Sequence, residues 1–399
     1  MKLNTAVLLD RARKKNAGGP PGYLYNLYMG TPNNGEMPDF LCPVQEEEHL
    51  DDVDNRVDEY RNSFYIFLRK NVRFRRLLYF FKQGLEIKNK LGNKVNDYDV
   101  LHVHISSNVI YLRRFCGYKG KVILTSHRPE TLVEDGMSML REGDLKYSWF
   151  EKLFHNHIEK LSYKYTDAFI FPSENAMKIY EAFPGFKKYS KGKKTSYVIT
   201  GAPKKIITVE KLEYKKTHCN NSECFMIAYV GRHTQIKGYD RLRDYFLRND
   251  DGSIEVVVAG NCQGIKVPAS KNWHELGYIT DTQNLLNAAD VIVIPNRNTF
   301  FDLIIIEALS YGKIVISSNT GGNIDIAKLT RGLILFDNSD ELDLDRKISS
   351  VMNMSVEQRK LLENDAERFY ETYCSVDAFA SNYIKALDEV IHRSGWNER

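Results

Sequence analysis

Residues 228–240 read AYVGRHTQIKGYD and connect an apolar strand, predicted over residues 225–230, to the polar start of a helix. Glycine lets the backbone turn sharply and approach a ligand closely, so Gly231 marks the end of the strand. The guanidinium of Arg232 is a planar donor fork and the ammonium of Lys237 is a compact charge, and together they suit a diphosphate. The alternative interpretation is a surface loop with two solvated cations.

A second segment, residues 299–312, reads TFFDLIIIEALSYG and has the pattern of a loop that enters a helix. Asp302 is predicted as the N-cap and Leu303 as the first helical residue, so free amides at the helix start offer a site for phosphate oxygens. Glu307 lies more than one turn inside this apolar helix. There its carboxylate either faces solvent or meets a ligand with hydroxyl groups, such as the diol of a ribose.

Taken together, these segments resemble the nucleotide-sugar site of the group 1 glycosyltransferases (family four), which have the GT-B fold. Three motifs carry the resemblance: a Gly-Arg…Lys-Gly loop, the second glutamate of a Glu-x7-Glu segment, and a Gly-Gly pair after a strand. They fall on Gly231-Arg232, Lys237-Gly238, Glu307 and Gly321-Gly322. The resemblance implies an α/β protein in which two Rossmann-like, doubly wound domains face a central cleft.

The chain departs from the family pattern at Thr299, where the first glutamate of the Glu-x7-Glu segment would fall. In the family that glutamate contacts the donor sugar, so the substitution leaves both the sugar and the activity open. Asp302, three residues further on, is an alternative carboxylate, but its position favours a role as a helix cap alone.

The first half of the chain has a glycine-rich segment, GGPPGYLYNL at residues 18–27, after a strand predicted over residues 6–10. A glycine-rich loop that leads into a helix suits close approach to a phosphate or an acceptor. It resembles the family's first loop, which faces the donor diphosphate, and this implies substrate contacts at Gly19 and Gly22. Gly-Pro clusters also mark ordinary loops, which is the alternative.

His127 ends a second strand of the first half, where a polar side chain would meet the cleft. Family members carry a histidine at this place that contacts the donor sugar, and the resemblance gives His127 that role. Arg128 and Glu130 follow on the same loop and either assist or pair with each other. His102 and His104 share one face of a strand, a spacing that permits metal binding, but we interpret them as structural because no third ligand stands beside them.

Neither a metal nor another cofactor is expected from the remaining ligand-type residues. The six cysteines show no pairing rhythm. His218-Cys219 and Cys224 come closest to a metal pattern, but no second pair follows, and free thiols are the prediction.

The length of 399 residues exceeds what one hydrophobic core usually serves. We therefore expect a Rossmann-like acceptor-binding domain over residues 1–200 and a Rossmann-like nucleotide-sugar-binding domain over residues 201–375. As in the family, a C-terminal helix within residues 376–399 should pack back on the first domain. The apolar runs are too short for a membrane span or a signal peptide, which favours the cytoplasm.

Charge is unevenly distributed, although its net value is only +4. Residues 61–94 mix arginine and lysine with phenylalanine and leucine, a pattern typical of an amphipathic helix on a membrane surface. Each basic residue near an anionic leaflet adds about 1 kcal/mol of attraction. The alternative is an ordinary domain helix with solvated cations. Nucleic acid is not expected as a partner, since no binding motif accompanies the patch.

The resemblance implies a retaining glycosyltransferase that uses a nucleotide-diphosphate sugar, by family frequency a UDP-sugar. The acceptor would be a saccharide or a polyprenyl-linked saccharide at the inner face of the cell membrane. The setting would be the biosynthesis of bacterial surface polysaccharide, such as capsule or lipopolysaccharide. Arg232 and Lys237 would stabilise the departing diphosphate. Two alternatives stay open: a nucleotide-sugar 2-epimerase, and a non-catalytic nucleotide-binding partner of another transferase, which Thr299 suggests.

Overall fold

The computed structural model describes residues 3–8, 19–32, 36–41, 72–138, 142–262 and 264–392. Its first half is built on a six-stranded parallel sheet with the order β2-β1-β3-β4-β5-β6. The strands are β1 (Thr5–Leu8), β2 (Asp39–Leu41), β3 (Val100–Val103), β4 (Lys121–Leu124), β5 (Ala168–Phe171) and β6 (Lys194–Tyr197).

The second half contains another six-stranded parallel sheet, with the order β12-β11-β10-β7-β8-β9. Its strands are β7 (Phe225–Val230), β8 (Ile254–Ala259), β9 (Trp273–Glu275), β10 (Val291–Ile294), β11 (Val315–Ser318) and β12 (Leu333–Phe336). Sequences such as VIVI in β10 are apolar at every position because helices cover both faces of a parallel sheet. The predicted doubly wound α/β architecture is confirmed.

Helices connect and cover the strands. They are α1 (Gly19–Met29), α2 (Val72–Leu91), α3 (Ser106–Arg114), α4 (Leu132–Ser138), α5 (Ser148–Tyr165), α6 (Glu174–Glu181), α7 (Pro184–Tyr189), α8 (Lys211–His218), α9 (Tyr239–Asn249), α10 (Thr282–Ala288), α11 (Leu303–Ser310), α12 (Asn323–Ala327), α13 (Asp343–Met352), α14 (Val356–Phe369) and α15 (Val376–His392). Within the described ranges no helix combines the length and apolarity that a bilayer crossing requires.

The last helix, α15, returns to the first sheet after the second sheet is complete. Its residues Phe379, Tyr383 and Leu387 are buried in one apolar cluster with Val7 of β1 and Leu24 of α1. The chain segment that crosses between the sheets is pinned to the turn before α15, since the amide of Ala202 donates to the carbonyl of Cys374 (3.0 Å). The two halves are therefore joined twice, by the crossing segment and by α15.

Candidate active site

The carboxyl ends of the strands in the two sheets carry the predicted site residues. In the second half, Gly231 follows β7 and Gly322 lies just after β11, while in the first half His127 lies just after β4. Parallel sheets bind ligands beyond the carboxyl ends of their strands, because loops and helix N-termini converge there. Of the predicted residues, His127 of the first half and Leu303 of the second half line one pocket.

The loop from Gly231 to Gly238 is a compact turn whose backbone carbonyls contact the Tyr229 hydroxyl. The Tyr229 hydroxyl donates to the carbonyl of Arg232 (2.9 Å) and lies 3.4 Å from the carbonyl of Lys237. Gly238 has a φ of +66°, and a Cβ there would lie 1.8 Å from the carbonyl oxygen of Pro295. Glycine at this position is thus required by both backbone conformation and space. Sequence reasoning missed Tyr229, because it reads as an ordinary strand residue.

Arg232 and Lys237 differ in how they are held. The Arg232 side chain is exposed, and among the described residues it has no carboxylate partner. The Lys237 ammonium lies 3.4 Å from the Oδ1 atom of Asp302 and is about one-third exposed (32%). An ammonium has three donors, so this contact leaves Lys237 free to bind a further anion. Lys237 is positioned in advance, whereas Arg232 is free to move onto a ligand.

Asp302 is more than the helix cap that its sequence position favoured. It occupies the N-cap position of α11, but its side chain makes no capping hydrogen bond. Instead its buried carboxylate accepts from the Nδ2 atom of Asn296 (2.8 Å to each oxygen) and from that of Asn323 (3.3 Å). Amide donors from two loops and the ammonium of Lys237 compensate the burial of the charge better than one helix amide would. The expectation of a cap alone was wrong.

Glu307 lies one turn after Leu303 on α11, and residues four apart share a helix face. Its side chain is only 25% exposed, and its nearest cation is Lys205, whose Nζ lies 3.8 Å from Oε2. Burial raises the pKa of the Glu307 carboxyl, and the charge of Lys205 opposes this. Lys205 was not foreseen, since a lysine after the crossing segment has no distinguishing pattern.

The backbone of Thr299 packs against the Gly-Gly pair that follows β11, and this close contact requires glycine there. Gly321 has a φ of +54°, and a Cβ there would lie 2.0 Å from the carbonyl oxygen of Thr299. The amide of Gly322 donates to the carbonyl of Phe300 (3.0 Å), so the two loops are in backbone contact. Thr299 is itself buried. The position that holds an acid in the family pattern is here part of this tight loop packing.

In the first half, His127 belongs to a cluster of rings. Its Nε2 atom lies 3.0 Å from the Nδ1 atom of His104, and the ring of Tyr23 contacts both histidines at centroid distances of 4.9 and 5.1 Å. Gly22, which precedes Tyr23, is buried in α1, and Gly19 begins that helix. The structure therefore joins the glycine-rich segment to His127 through Tyr23, a residue that sequence reasoning passed over.

The two other histidines have different surroundings. His102 lies 2.6 Å from the Tyr383 hydroxyl and 2.8 Å from that of Thr125, which fits the structural role predicted for it. His104 is equally buried, but its Nε2 atom has no partner among the described residues, and neither does the Tyr23 hydroxyl. His104 and Tyr23 thus present unused polar atoms beside His127.

Burial keeps this cluster neutral. Desolvation lowers the pKa of His127 to about 3, with the charge of Arg128 acting in the same direction. Burial likewise lowers the pKa of His102 to about 3 and that of His104 well below its usual range. A neutral imidazole has one donor and one acceptor nitrogen, so His127 can bind a hydroxyl group without adding charge.

Acid should destabilise the fold through these histidines. Because the pKa of native His127 lies below the unfolded value near 6.5, native protein binds fewer protons, and stability present above about pH 6.5 is lost as the pH falls toward 3. Each such histidine contributes a slope of up to about 1.4 kcal/mol per pH unit. Urea unfolding between pH 7 and pH 4 should show a smaller dependence of stability on pH for His127→Asn than for the wild type. Equal dependence for the two proteins would contradict this account.

The remaining sequence expectations for the first-half loops have mixed outcomes. Arg128 does not pair with Glu130; it pairs with Asp135 instead (Nη1 to Oδ2, 3.3 Å). Helix α4 places Asp135 nearer to the guanidinium than the neighbouring loop residue. Ser173 caps α6, since its side chain accepts from the amide of Ala176.

A pocket of about 90 Å³ lies between the two halves. The first half contributes Tyr23 and His127 to its lining, and the second half contributes Phe300 and Leu303. Phe300 also packs on rings of the first half, at 5.8 Å from Tyr180. The pocket is smaller than the range of about 300–1,000 Å³ typical of ligand sites, so it suits part of a ligand, such as one sugar ring.

Comparison with known proteins identifies the family. Residues 210–369 match the model of the group 1 glycosyl transferases, and residues 17–188 match that of glycosyltransferase family 4. The two matches lie on the two halves of the chain. The protein belongs to the group 1 glycosyltransferases and is a glycosyltransferase of GT-B architecture.

Individual relatives are more distant. The chain is 24% identical over 245 residues to N,N'-diacetylbacillosaminyl-diphospho-undecaprenol alpha-1,3-N-acetylgalactosaminyltransferase of Campylobacter jejuni; the match covers 59% of this chain and 64% of that relative. The structure of HepE from Anabaena in complex with UDP-glucose has a TM-score of 0.64 at 13% identity, covering 96% of this chain and 99% of that one. The lipopolysaccharide outer core galactosyltransferase WaaB has a TM-score of 0.58 at 15% identity, with coverage of 98% and 99%. These structural likenesses concern the fold.

Proposed function

We propose that this glycosyltransferase moves a sugar, with retention of configuration, from a UDP-sugar to a lipid-linked saccharide in the assembly of bacterial surface polysaccharide such as capsule or lipopolysaccharide. The second half, residues 201–375, would bind the nucleotide sugar and the first half, residues 1–200, the acceptor. The observation that carries the proposal is one pocket lined by His127 of the first half and Leu303 of the second, where Leu303 follows Asp302, the partner of Lys237, and precedes Glu307 by one helical turn.

Each group has a task that follows from its charge. The Lys237 ammonium and the Arg232 guanidinium stabilise the negative charge that develops on the leaving diphosphate, and the amides at the start of α11, beside Leu303, donate hydrogen bonds to a phosphate oxygen. Glu307 accepts hydrogen bonds from the ribose diol. Neutral His127 binds a sugar hydroxyl. The backbone of Gly231 and Gly322 lines the cleft closely, while Gly19 and Gly22 bring α1 to its opposite side.

No side chain is assigned as a nucleophile. Thr299 has no carboxylate, and Asp302 is already occupied by two amides and Lys237. We infer that the acceptor oxygen attacks the anomeric carbon on the face that the diphosphate leaves. The bond from that carbon to the phosphate oxygen breaks, the bond to the acceptor oxygen forms, and the acceptor proton passes to the phosphate.

A lipid-linked acceptor is supported by the relative from Campylobacter jejuni, whose name specifies a diphospho-undecaprenol substrate. The surface of α2 supports it independently. Leu77, Phe81 and Leu85 are exposed at intervals of four residues, with exposed Lys82 and Lys88 beside them. This is the arrangement of a helix that lies on an anionic membrane. Residues 61–71 of the predicted amphipathic segment lie outside the described residues.

The neighbouring helix extends this apolar surface. Arg76 of α2 pairs with Glu151 of α5 (3.0 Å), and α5 exposes Trp149 and Leu153 at a spacing of four residues. Tryptophan favours the membrane interface because its ring has an apolar body and a polar edge. The two helices together form a site for docking at the cytoplasmic face of the cell membrane.

Membrane docking makes a testable prediction. Wild-type protein should sediment with vesicles that contain anionic phospholipid and much less with vesicles of phosphatidylcholine alone. The double variant Phe81→Glu/Leu85→Glu should lose most of this binding, because it removes apolar area and adds negative charge. The matched control Val356→Glu/Leu361→Glu changes two exposed apolar residues of α14 and should bind as the wild type does. If both double variants bound the vesicles equally, α2 would not be part of the proposed membrane-binding surface.

The proposed function is tested by thermal-shift titration with UDP-, GDP- and ADP-sugars, followed by transfer assays on undecaprenyl-diphosphate-linked saccharides. A UDP-sugar at 100 times its Kd should stabilise the protein by about 2.7 kcal/mol, and the acceptor should then become one sugar longer. Binding without transfer or slow donor hydrolysis would favour the non-catalytic alternative that Thr299 suggests. Conversion of the donor to its epimer would favour the epimerase.

A further inference from the structure

Two cysteines and a glutamate meet at the end of the second sheet that faces away from the cleft. Cys219 follows α8, Cys224 precedes β7, and Glu255 is the second residue of β8. One ligand atom from each residue lies within 4.8 Å of the other two. The six-residue strand β7 separates this cluster from Gly231 by roughly 20 Å, at about 3.3 Å per residue. The cluster is therefore independent of the sugar-transfer site.

Glu255 is an unusual residue for a central strand. It is 2% exposed in a strand whose other members are apolar, and a buried carboxylate requires compensation. The backbone amides of Asn220 and Asn221 each donate to it at 2.8 Å, so the loop between the two cysteines wraps around the carboxylate. The Nε2 atom of His274 lies 2.6 Å from Oε2. This local architecture holds both thiols beside an oriented carboxylate.

The donor set and its surroundings suit a thiophilic divalent cation. Thiolate, carboxylate and imidazole are the usual ligands of zinc, and a Cys-x4-Cys spacing is common in its binding loops. The contact between His274 and Glu255 is the kind that orients a metal-binding carboxylate.

Charge balance favours occupancy by a dication. Lys215, whose ammonium donates to the carbonyl of Cys224 (2.8 Å), is 5% exposed and pairs with Asp290. When a metal displaces the two thiol protons, two thiolates and one carboxylate place three negative charges in a largely buried region. A dication would neutralise two of them and leave the third to the influence of Lys215.

We propose that Cys219, Cys224 and Glu255 bind one zinc ion, with the fourth position taken by water. The ion holds the loop between α8 and β7 against the end of the second sheet that faces away from the cleft. It is a structural ion, and the reaction in the cleft does not involve it. Both cysteines are free thiols in the structure, and the proposal adds a metal ion to them.

The experiment uses full-length protein purified under reducing conditions, incubated with excess zinc and desalted before metal analysis. Wild type should retain one equivalent of zinc. Cys219→Ser and Cys224→Ser should lose it, and Glu255→Gln should bind at least tenfold more weakly. The matched controls Cys262→Ser, at an exposed cysteine, and Cys116→Ser should retain one equivalent. Cobalt(II) added to wild type should give a thiolate-to-cobalt charge-transfer band.

The cobalt spectrum requires no substitution, so it decides the matter even if a cysteine variant fails to fold. Absence of both retained zinc and the charge-transfer band in reduced wild type would overturn the proposal. So would zinc retention by the folded double variant Cys219→Ser/Cys224→Ser, or a disulfide between these cysteines in protein kept under reducing conditions.

Discussion

Replacement of Lys237 by alanine is expected to lower the kcat of sugar transfer by about 100- to 1,000-fold, as the loss of one preorganised donor to a developing negative charge does in other enzymes. The ammonium is held 3.4 Å from the Oδ1 atom of Asp302, and about one-third of the Lys237 side chain (32%) is exposed. Its charge acts on the diphosphate most strongly when the bond to the sugar breaks. The KM for the donor should therefore change less than kcat.

The Lys237 variant needs two comparisons. Lys360→Ala removes an exposed lysine of α14 and should leave kcat unchanged. Asp302→Asn keeps the lysine but removes the carboxylate that positions its ammonium. Sugar transfer by this variant should therefore be impaired, and its rate should depend on salt concentration differently from that of Lys237→Ala. If Lys237→Ala retained more than about one-tenth of wild-type kcat while folded, the ammonium would not serve the leaving group.

Replacement of Glu307 by glutamine is expected to weaken UDP binding by about 10- to 100-fold, since a hydrogen bond to a charged group contributes about 1.5–3 kcal/mol. The physical basis is the partly buried carboxylate on the face of α11 shared with Leu303. Calorimetric titration with UDP measures the change. Glu371→Gln, at an exposed glutamate, should bind UDP as the wild type does.

A nucleotide analogue separates the ribose contact from a general loss of charge. The 2′-deoxy form of UDP lacks one of the two hydroxyls that Glu307 is proposed to bind, so its affinity should fall much less than that of UDP on Glu307→Gln. If both nucleotides lost affinity equally, the glutamate would act by charge, for example by holding Lys205 in place. Urea unfolding of the variant should accompany the titration, because the substitution leaves Lys205 without its partner.

The strand ends and the residues just beyond them could be predicted from the sequence. An apolar run followed by glycine located β7 and the loop of Arg232, and apolar residues at helical spacing located α11 with Glu307 inside it. These signals are local. They depend on neighbours in sequence, which one chain displays directly, and the resemblance to a family added the expected ligand.

The contacts that hold the site in place could not be predicted in the same way. Asp302 is bound by Asn296 and Asn323, and each comes from a different loop whose approach depends on the whole sheet. The pairing of His104 with His127 depends on the register of β3 against β4, which aligns their ends. Side-chain partners across the sheet leave no mark on local periodicity, so the sequence indicated the groups but not their partners.

The cysteine cluster illustrates the same limit. Cys219 and Cys224 are close in sequence, but their third neighbour, Glu255, comes from the adjacent strand β8. The available signal in the sequence was Glu255, a single acidic residue in an apolar strand. Only the structure shows that backbone amides of the loop between the two cysteines surround its carboxylate.

The central claim is that Lys237, Glu307 and His127 bind one nucleotide sugar in the cleft between the two sheets. A crystal structure of the protein with a UDP-sugar tests it most directly. The account predicts the diphosphate within hydrogen-bonding distance of the Lys237 ammonium, the ribose hydroxyls on the Glu307 carboxylate, and the sugar beside His127. A nucleotide bound elsewhere, or bound in the cleft with its diphosphate remote from Lys237 and its ribose remote from Glu307, would contradict it.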